Sequence, residues 1–165
     1  MIFFDWTAMI RAASERDHGA ICAIRIASIR ALACNVYSEA QIESWLNGST
    51  GPTAEDAANE TMLVEEIEGR VVGFAQLDVQ KAVVKRVYVL PSYARRRIAS
   101  RLLARLEAIA GDNEVAMLSI DATLNAVPFY QTAGYSIVQR VDDLPVDGVA
   151  FPYVVMTKHL HDEKT

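Results

Sequence analysis

Apolar and polar residues follow two kinds of spacing along this chain, and each spacing predicts a type of element. Residues 61–67 and 70–77 alternate in polarity and are separated by Glu68-Gly69, which predicts a β-hairpin. Apolar residues recur at helical spacing over residues 94–110, which predicts a long amphipathic helix with Gly111 as its C-cap.

Capping signals place the starts of the other helices. Ser14 with Asp17 and Ser38 with Gln41 have the spacing of capping boxes, and Asn125 is a further N-cap candidate. The predicted helices are 14–32, 39–46, 94–110 and 125–132. The predicted strands are 9–13, 61–67, 70–77, 82–89, 115–120, 135–141 and 149–157.

This order of elements predicts an α+β fold with a mixed central sheet of about seven strands flanked by helices. Residues 82–120 form a strand-helix-strand unit, which should be a right-handed parallel crossover. Because no Pro/Gly/Ser-rich linker or internal repeat divides the chain, we predict one domain over residues 9–160. Residues 1–8 are then an N-terminal extension, 47–53 a loop and 161–165 a C-terminal tail.

Composition narrows the function classes. The 165 residues carry a formal net charge of -5, which gives no global attraction to nucleic acid or anionic membranes. The two cysteines, Cys22 and Cys34, are too few for a disulfide scaffold and have no metal-ligand spacing. No apolar run is long enough to span a bilayer, and the N-terminus lacks a signal-peptide pattern. We therefore expect a cytoplasmic protein without a metal.

Three consecutive arginines, Arg95, Arg96 and Arg97, stand where the predicted strand 82–89 turns into the long helix. A helix N-terminus offers free N–H groups and a partial positive charge, so an anion there would meet backbone donors and guanidinium groups together. A solvated helix start is the alternative interpretation. Arginines at this end oppose the helix dipole, so a ligand or acidic neighbours would explain them.

Two segments carry a resemblance to a known family. The segment 87–103 reads VYVLPSYARRRIASRLL and the segment 125–135 reads NAVPFYQTAGY. Together with the order of elements, they resemble the GNAT family, the Gcn5-related N-acetyltransferases, over about residues 9–160. The family pattern Gln/Arg-x-x-Gly-x-Gly/Ala falls on Ala94, Arg97 and Ala99, of which only Ala99 matches it.

The resemblance implies a site for acetyl-CoA as the acetyl donor. The pantetheine arm would pair like an added strand with the strand before the arginines, and a backbone N–H there would polarise the thioester carbonyl. The donor-site residues implied in this way are Val87, Tyr88 and Val89 for the arm, and Arg95, Arg96, Arg97, Ile98, Ala99 and Ser100 for the pyrophosphate.

The resemblance also implies that Tyr130 donates a proton to the leaving thiolate, although packing on the sheet is the alternative for its side chain. Asn125 matches a residue that contacts the CoA arm, a role compatible with capping a helix. The attacking amine must lose a proton, for which Glu65, Glu66 and Asp121 are candidate bases. Each of these three is also an ordinary type of surface carboxylate.

Three functions stay open at this point. The first is acetyl transfer to a primary amine of a small molecule or peptide, with Tyr37 and Trp45 bordering the acceptor pocket. The second is a non-catalytic acyl-CoA-binding regulatory module whose pyrophosphate loop has drifted. The third is an RNA-directed member that uses residues 95–97, Arg101 and Arg105, which the net acidity disfavours. We expect no nucleic-acid or membrane partner, and a possible homodimer through the last two strands.

Overall fold

The structure, a computed structural model, describes residues 7–48, 60–142, 145–146 and 149–161. The predictions for residues 1–6, 49–53 and 162–165 lie outside these ranges. The helices are α1 (His18–Ala33), α2 (Glu39–Gly48), α3 (Ile98–Asp112) and α4 (Val127–Thr132). The strands are β1 (Met9–Ala12), β2 (Thr61–Ile67), β3 (Arg70–Asp78), β4 (Val83–Val89), β5 (Met117–Thr123), β6 (Ser136–Val141), β7 (Pro145–Val146), β8 (Val149–Ala150) and β9 (Tyr153–His159).

A seven-stranded mixed sheet confirms the predicted α+β architecture. Its order is β1-β2-β3-β4-β5-β9-β6. Strands β4 and β5 are parallel neighbours, as the crossover predicted, and the other neighbouring pairs are antiparallel. The predicted hairpin is present as β2 and β3. The parallel pair therefore lies in the middle of the sheet, with antiparallel strands on both sides.

The prediction of one strand over residues 149–157 is wrong. Strand β8 pairs with β7 in a separate two-stranded sheet, and β9 starts at Tyr153 and lies between β5 and β6. The interruption contains Pro152, which has no backbone N–H to donate to a strand ladder. Its carbonyl oxygen instead accepts a hydrogen bond from the Tyr37 hydroxyl at 2.7 Å.

Two predicted boundaries of the long helix are also wrong. Helix α3 begins at Ile98 rather than residue 94, because Arg95 and Arg97 have left-handed backbone angles, with φ of 65° and 58°. The helix passes through Gly111 and has Asn113 as its C-cap. At the N-terminal end of α1, the Ser14 cap opens a 3-10 turn over Glu15–Asp17 before the helix itself.

Hydrophobic residues cover both faces of the sheet, because successive strand residues point to opposite sides. Helices α3 and α4 cover one face, and α1 and α2 cover the other. The first core includes Ala75, Leu77, Leu102, Leu103, Leu106, Leu118 and Tyr130. The second includes Ile21, Ile24, Met62, Val64 and Phe74.

Gly73 in β3 allows the start of α3 to lie close against the sheet. A Cβ atom at this position would be 3.0 Å from Ile98 Cγ2 and 3.2 Å from Leu102 Cδ1. Such distances are tighter than most real Cβ contacts, so with a larger residue the Ile98 and Leu102 side chains would have to shift by a few tenths of an ångström. Gly73 thus fixes how near the arginine turn lies to the ends of β3 and β4.

A cluster of buried charge joins β1, β2 and the start of α1. Asp17, 3% exposed, accepts hydrogen bonds from Arg11 Nη1 at 2.8 Å and Nη2 at 2.9 Å. Its carboxylate also accepts the Ser14 backbone N–H at 2.8 Å, while Arg11 Nη2 donates to Glu66 at 2.9 Å. The Arg11 hydrogen bonds, opposed by burial, hold the pKa of Asp17 well below its usual range.

Replacing Asp17 with Asn should lower the free energy of unfolding by about 1–3 kcal/mol at neutral pH, since Arg11 would lose a charged partner. A carboxyl whose pKa is depressed by folding stabilises above its unfolded pKa of about 3.9 and loses that contribution as pH falls. Urea unfolding at pH 7 and again below pH 4 should therefore show a difference that shrinks in acid. The control Asp142→Asn removes an exposed pair with Arg140 and should change stability by less than about 0.5 kcal/mol. An Asp17→Asn effect independent of pH would contradict this account.

Candidate active site

Strands β4 and β5 separate soon after they meet. Their pairing is confined to Val83 and Ser119, where the Ser119 N–H donates to the Ala82 carbonyl at 3.0 Å. In β4, Arg86 pairs with Gln76 and Val84 with Leu77, so Lys85 is an extra residue at a β-bulge. A bulge bends its strand and increases the local twist. Beyond it, a cavity of about 490 Å³ lies between the two strands.

The exposed edge of β4 faces this cavity. The Leu90 N–H donates to the Val72 carbonyl of β3 at 2.8 Å. Because backbone groups alternate sides along a strand, the N–H groups of Val89 and Val87 point the other way, toward the cavity. The predicted residues Val87, Tyr88 and Val89 all line the cavity. The backbone of Tyr88 faces β3, so its contribution to the cavity is its side chain.

The arginine turn forms one end of the cavity. It is lined by Arg95, Arg97, Ile98, Ala99 and Ser100, which are among the residues that the resemblance implied for the pyrophosphate. The first-turn amides of α3 have no partner within the helix. In the described part of the chain, neither Arg95 nor Arg97 pairs with a carboxylate. This end therefore offers backbone donors and two uncompensated positive charges to an anion.

Arg96 does not line the cavity. Its guanidinium lies over the ring of Tyr93, 4.9 Å from the ring centre. A cation in this position is attracted to the face of an aromatic ring. The three consecutive arginines thus have different surroundings, and Arg96 packs on Tyr93 outside the cavity.

Arg97 adopts the backbone conformation that glycine accepts most easily. It is the N-cap of α3, with φ of 58°, and it stands where the family pattern has glycine. A left-handed conformation costs an L-residue roughly 1–2 kcal/mol. The turn therefore keeps a glycine-like backbone although its sequence departs from the pattern, and the Arg97 side chain is exposed rather than buried in the turn.

Tyr130 of α4 presents a buried phenol to the cavity. Its side chain is 4% exposed and makes edge-to-face contacts with Phe129 and Tyr135, with ring centres 4.9 and 5.5 Å apart. No described residue hydrogen-bonds its hydroxyl. Burial raises the pKa of Tyr130 well above its usual range, so the phenol stays protonated at neutral pH and can act as a donor.

Asn125 also lines the cavity, but the prediction that it caps a helix is wrong. It lies inside a 3-10 turn, Leu124–Ala126, that runs directly into α4 and has no side-chain cap. Its Oδ1 is buried and has no hydrogen-bond partner among the described residues. A buried carbonyl without a partner is costly, so this oxygen is available to accept a hydrogen bond from a ligand amide.

One of the three candidate bases lies in the cavity. Asp121 of β5 lines it; the residue is exposed to solvent, and partial desolvation raises the pKa of its carboxyl. Glu65 is fully buried on the α3 side and is paired with Arg101, and Glu66 is paired with Arg11. The pairing of Arg101 also weakens the predicted basic row along α3 as a nucleic-acid surface.

The opposite wall comes from α1 and α2 and was only partly predicted. Trp45 lines the cavity as expected, whereas Tyr37 is buried behind it and binds the Pro152 carbonyl and the Leu124 N–H. The lining residues that the sequence analysis missed include Ser28, Ile29, Leu32, Ala33, Lys85 and Arg86. The spacing of the α1 members marks a helix face, but nothing local in the sequence shows which cavity that face meets.

The described ranges contain neither a group of three or more His, Cys, Asp and Glu side chains that could hold a metal ion nor a helix long and apolar enough to cross a membrane.

Comparison with known proteins finds a family model and a relative that match most of this chain. A family model described as "Acetyltransferase (GNAT) domain" matches residues 34–160. The uncharacterized N-acetyltransferase YafP of Escherichia coli (strain K12) is 32% identical over 135 residues, 81% of this chain and 85% of that protein.

Two solved structures share the fold. The GCN5-related N-acetyltransferase (aminotransferase, class-II) of Rhodopseudomonas palustris has a TM-score of 0.83 at 30% identity, covering 96% of this chain and 98% of its own. The PaiA N-acetyltransferase of Thermoplasma acidophilum, in complex with coenzyme A, has a TM-score of 0.72 at 21% identity, covering 92% and 98%.

Replacing Arg97 with Gly should raise the free energy of unfolding by about 0.5–1 kcal/mol, because relief of the left-handed strain exceeds the entropy gained by the unfolded chain. Urea unfolding of the two proteins measures this difference. Arg96→Gly is the control, because Arg96 is not in the left-handed region and should lose stability. A loss of similar size in both variants would show that Arg97 carries no such strain.

Proposed function

The chain belongs to the GNAT family of acetyltransferases, and on that basis we propose that it transfers an acetyl group from acetyl-CoA to a primary amine by direct attack within a ternary complex. The observation that carries this proposal is the cavity between β4 and β5. It brings together an edge of β4 that pairs with no strand beyond Val83, a cationic helix entrance and the Tyr130 phenol.

The residues present fit an acyl-CoA donor. The cavity-facing N–H groups of Val87 and Val89 would bind the pantetheine arm as an added strand would, and one of them would stabilise the oxyanion. Asn125 Oδ1, which has no protein donor in the described ranges, would accept a hydrogen bond from an amide of the arm. Arg95, Arg97 and the first-turn amides of α3 would hold the diphosphate.

Tyr130 acts as the general acid in this proposal. The amine nitrogen bonds to the acetyl carbon, the carbon–sulfur bond breaks, and the sulfur takes the Tyr130 proton. A free thiol has a pKa of about 8.5, so protonation helps the thiolate to leave at neutral pH. Tyr130 is protonated at neutral pH, so its hydroxyl can donate a hydrogen bond to the sulfur as negative charge develops there and pass on its proton as the carbon–sulfur bond breaks.

Asp121 removes the amine proton, directly or through water. An alkylamine with a pKa of about 10.4 is almost wholly protonated at neutral pH, so it needs a base before it can attack. Asp121 lines the cavity, and its raised pKa makes it a stronger proton acceptor than an ordinary aspartate.

Tyr130→Phe should lower kcat by about 10²-fold or more, the usual contribution of a general acid, and leave acetyl-CoA binding unchanged in calorimetry. Tyr135→Phe is the matched control. It removes a buried hydroxyl that lies beside Glu107 and does not line the cavity, so its rate should stay near that of the unmodified protein.

A full rate in Tyr130→Phe would remove the acid role from this residue. Acetyl-CoA binding without thiol release, across a broad panel of amines and peptides, would instead favour the non-catalytic acyl-CoA-binding module.

Asp121→Asn should reduce kcat/KM on the order of 10²-fold at neutral pH, because the amide cannot accept the amine proton. The amine substrate ionises in the same way with either protein. The ratio of kcat/KM of the unmodified protein to that of Asp121→Asn therefore reports only on Asp121. That ratio should rise with pH and level off above the pKa of Asp121, at a pH higher than the ordinary value of about 3.9. The control Asp112→Asn, at the exposed end of α3, should give a ratio near one at every pH. A flat ratio for Asp121→Asn would exclude it as the base.

A further inference from the structure

A buried guanidinium lies behind the wall of the cavity that α1 and α2 form. Arg25 of α1 is 5% exposed, and its Nη2 donates one long hydrogen bond of 3.4 Å to the Trp45 carbonyl. No carboxylate in the described part of the chain pairs with it. Burial lowers the pKa of Arg25, which reflects how costly a charge without a counter-ion is in this position.

Arg25 belongs to the helix face that forms the wall. It precedes Ser28 and Ile29 by one turn, and these residues line the cavity together with Leu32. The Arg25 guanidinium lies close enough to the Tyr88 phenol and to Arg86 for each to influence its pKa. Tyr88 and Arg86 both line the cavity. Arg25 thus lies near two residues that line the cavity without lining it itself.

Arg86 brings a second guanidinium to the same face of the sheet. Its Nη1 donates to Oε1 of Gln76, its cross-strand neighbour. The Gln76 amide nitrogen donates in turn to Glu60, which also accepts a hydrogen bond from Lys85 at 2.8 Å. The Gln76 amide therefore joins Arg86 to Glu60 and helps to orient the Arg86 side chain from within the sheet.

Asp121 supplies the opposite charge across the gap. Ile120 and Ala122 point into the α3-side core, so Asp121 points to the other face, the one that carries Arg86. It lies two residues beyond Ser119, where β5 last pairs with β4. No described residue forms an ion pair with it. An acid on β5 thus stands across the cavity from cations on β4 and α1.

We propose that the acceptor is a small amine that carries a carboxylate, an α-amino acid with an apolar side chain. Arg86 binds the carboxylate, Arg25 strengthens that interaction from behind, and Asp121 receives the ammonium group. Ile29, Leu32, Ala33 and Trp45 supply apolar walls for the side chain. This inference rests on the proposed acetyl transfer and names the substrate class for it.

Thiol release from acetyl-CoA tests the proposal with matched acceptors, leucine against leucinamide and phenylalanine against phenylalaninamide. The amides have the less basic amines, so without carboxylate recognition they would react faster. We expect kcat/KM to favour the free amino acids by about 10- to 100-fold, the usual effect of a charge-assisted contact. The difference should appear mainly in KM, because the carboxylate is bound before and during transfer.

Two variants assign the preference to its residues. Arg86→Gln and Arg25→Met should each raise KM for the amino acids by a larger factor than KM for the amides. Arg25→Lys keeps a positive charge in the same place, so it should retain most of the preference and also serves if Arg25→Met fails to fold. Arg16→Gln, an exposed arginine outside the cavity, should change neither KM.

The results separate this inference from the proposed function. Equal or better use of the amides would overturn the inference and leave acetyl transfer standing. A preference for amino acids that survives both Arg86→Gln and Arg25→Met would overturn the assignment to these arginines. Acetyl-CoA binding with no thiol release from any acceptor would overturn the proposed function and the inference together.

Discussion

The separation of two parallel strands is the constraint on which the rest of the site depends. Strands β4 and β5 share one residue pair, Val83 with Ser119, and the bulge at Lys85 follows directly in β4. The bulge shifts by one residue which backbone groups of β4 face β3. Without it, the backbone groups of Val87 and Val89 would face β3 instead of the cavity. One extra residue therefore decides which amides a ligand can reach.

Packing on both faces of the sheet keeps the gap in place. On one face, Gly73 lets α3 lie close to β3, which fixes the arginine turn at the end of β4. On the other, the Tyr37 hydroxyl joins the Leu124 N–H to the Pro152 carbonyl, at 2.9 and 2.7 Å. It thereby ties the turn after β5 to the chain that enters β9. Both walls of the cavity are thus anchored outside it, and within it the Val89 carbonyl accepts a hydrogen bond from the Ser28 hydroxyl at 2.8 Å, which leaves the Val87 and Val89 N–H groups for a ligand.

The sequence predicted the parts of the fold that depend on local pattern. The hairpin of β2 and β3, the parallel neighbours β4 and β5, and the long helix all follow from periodicity and turn residues. The start of α3 did not, because residues 94–97 continue a helical pattern while Arg95 and Arg97 take left-handed angles. Strand β9 was predicted too long, because Pro152 interrupts it in a context that the apolar pattern does not show.

Some residues of the candidate site could likewise be predicted from local motifs, and others depend on how distant elements pack. The residues on β4, the arginine turn and Tyr130 stand in consecutive motifs, and all but Arg96 line the cavity. The α1 wall and Arg86 depend on which face of a distant helix meets the sheet, and a single sequence shows only that such a face exists. Asp121 was one of three equal candidates until the sheet showed that it shares a face with Arg86, while Glu65 points into the core against Arg101.

Most of the charges at the cavity are opposite in sign to the net charge of the chain. The chain is acidic overall, with a formal net charge of -5, yet Arg95, Arg97 and Arg86 line one cavity and Arg25 lies buried beside it. A strained left-handed arginine and a buried guanidinium without a carboxylate both cost stability, and neither is needed to close the core. Such costs concentrate where a ligand offsets them. In the function proposed above, a diphosphate would offset the cost at the arginine turn, and the carboxylate of the acceptor would offset the cost at Arg25.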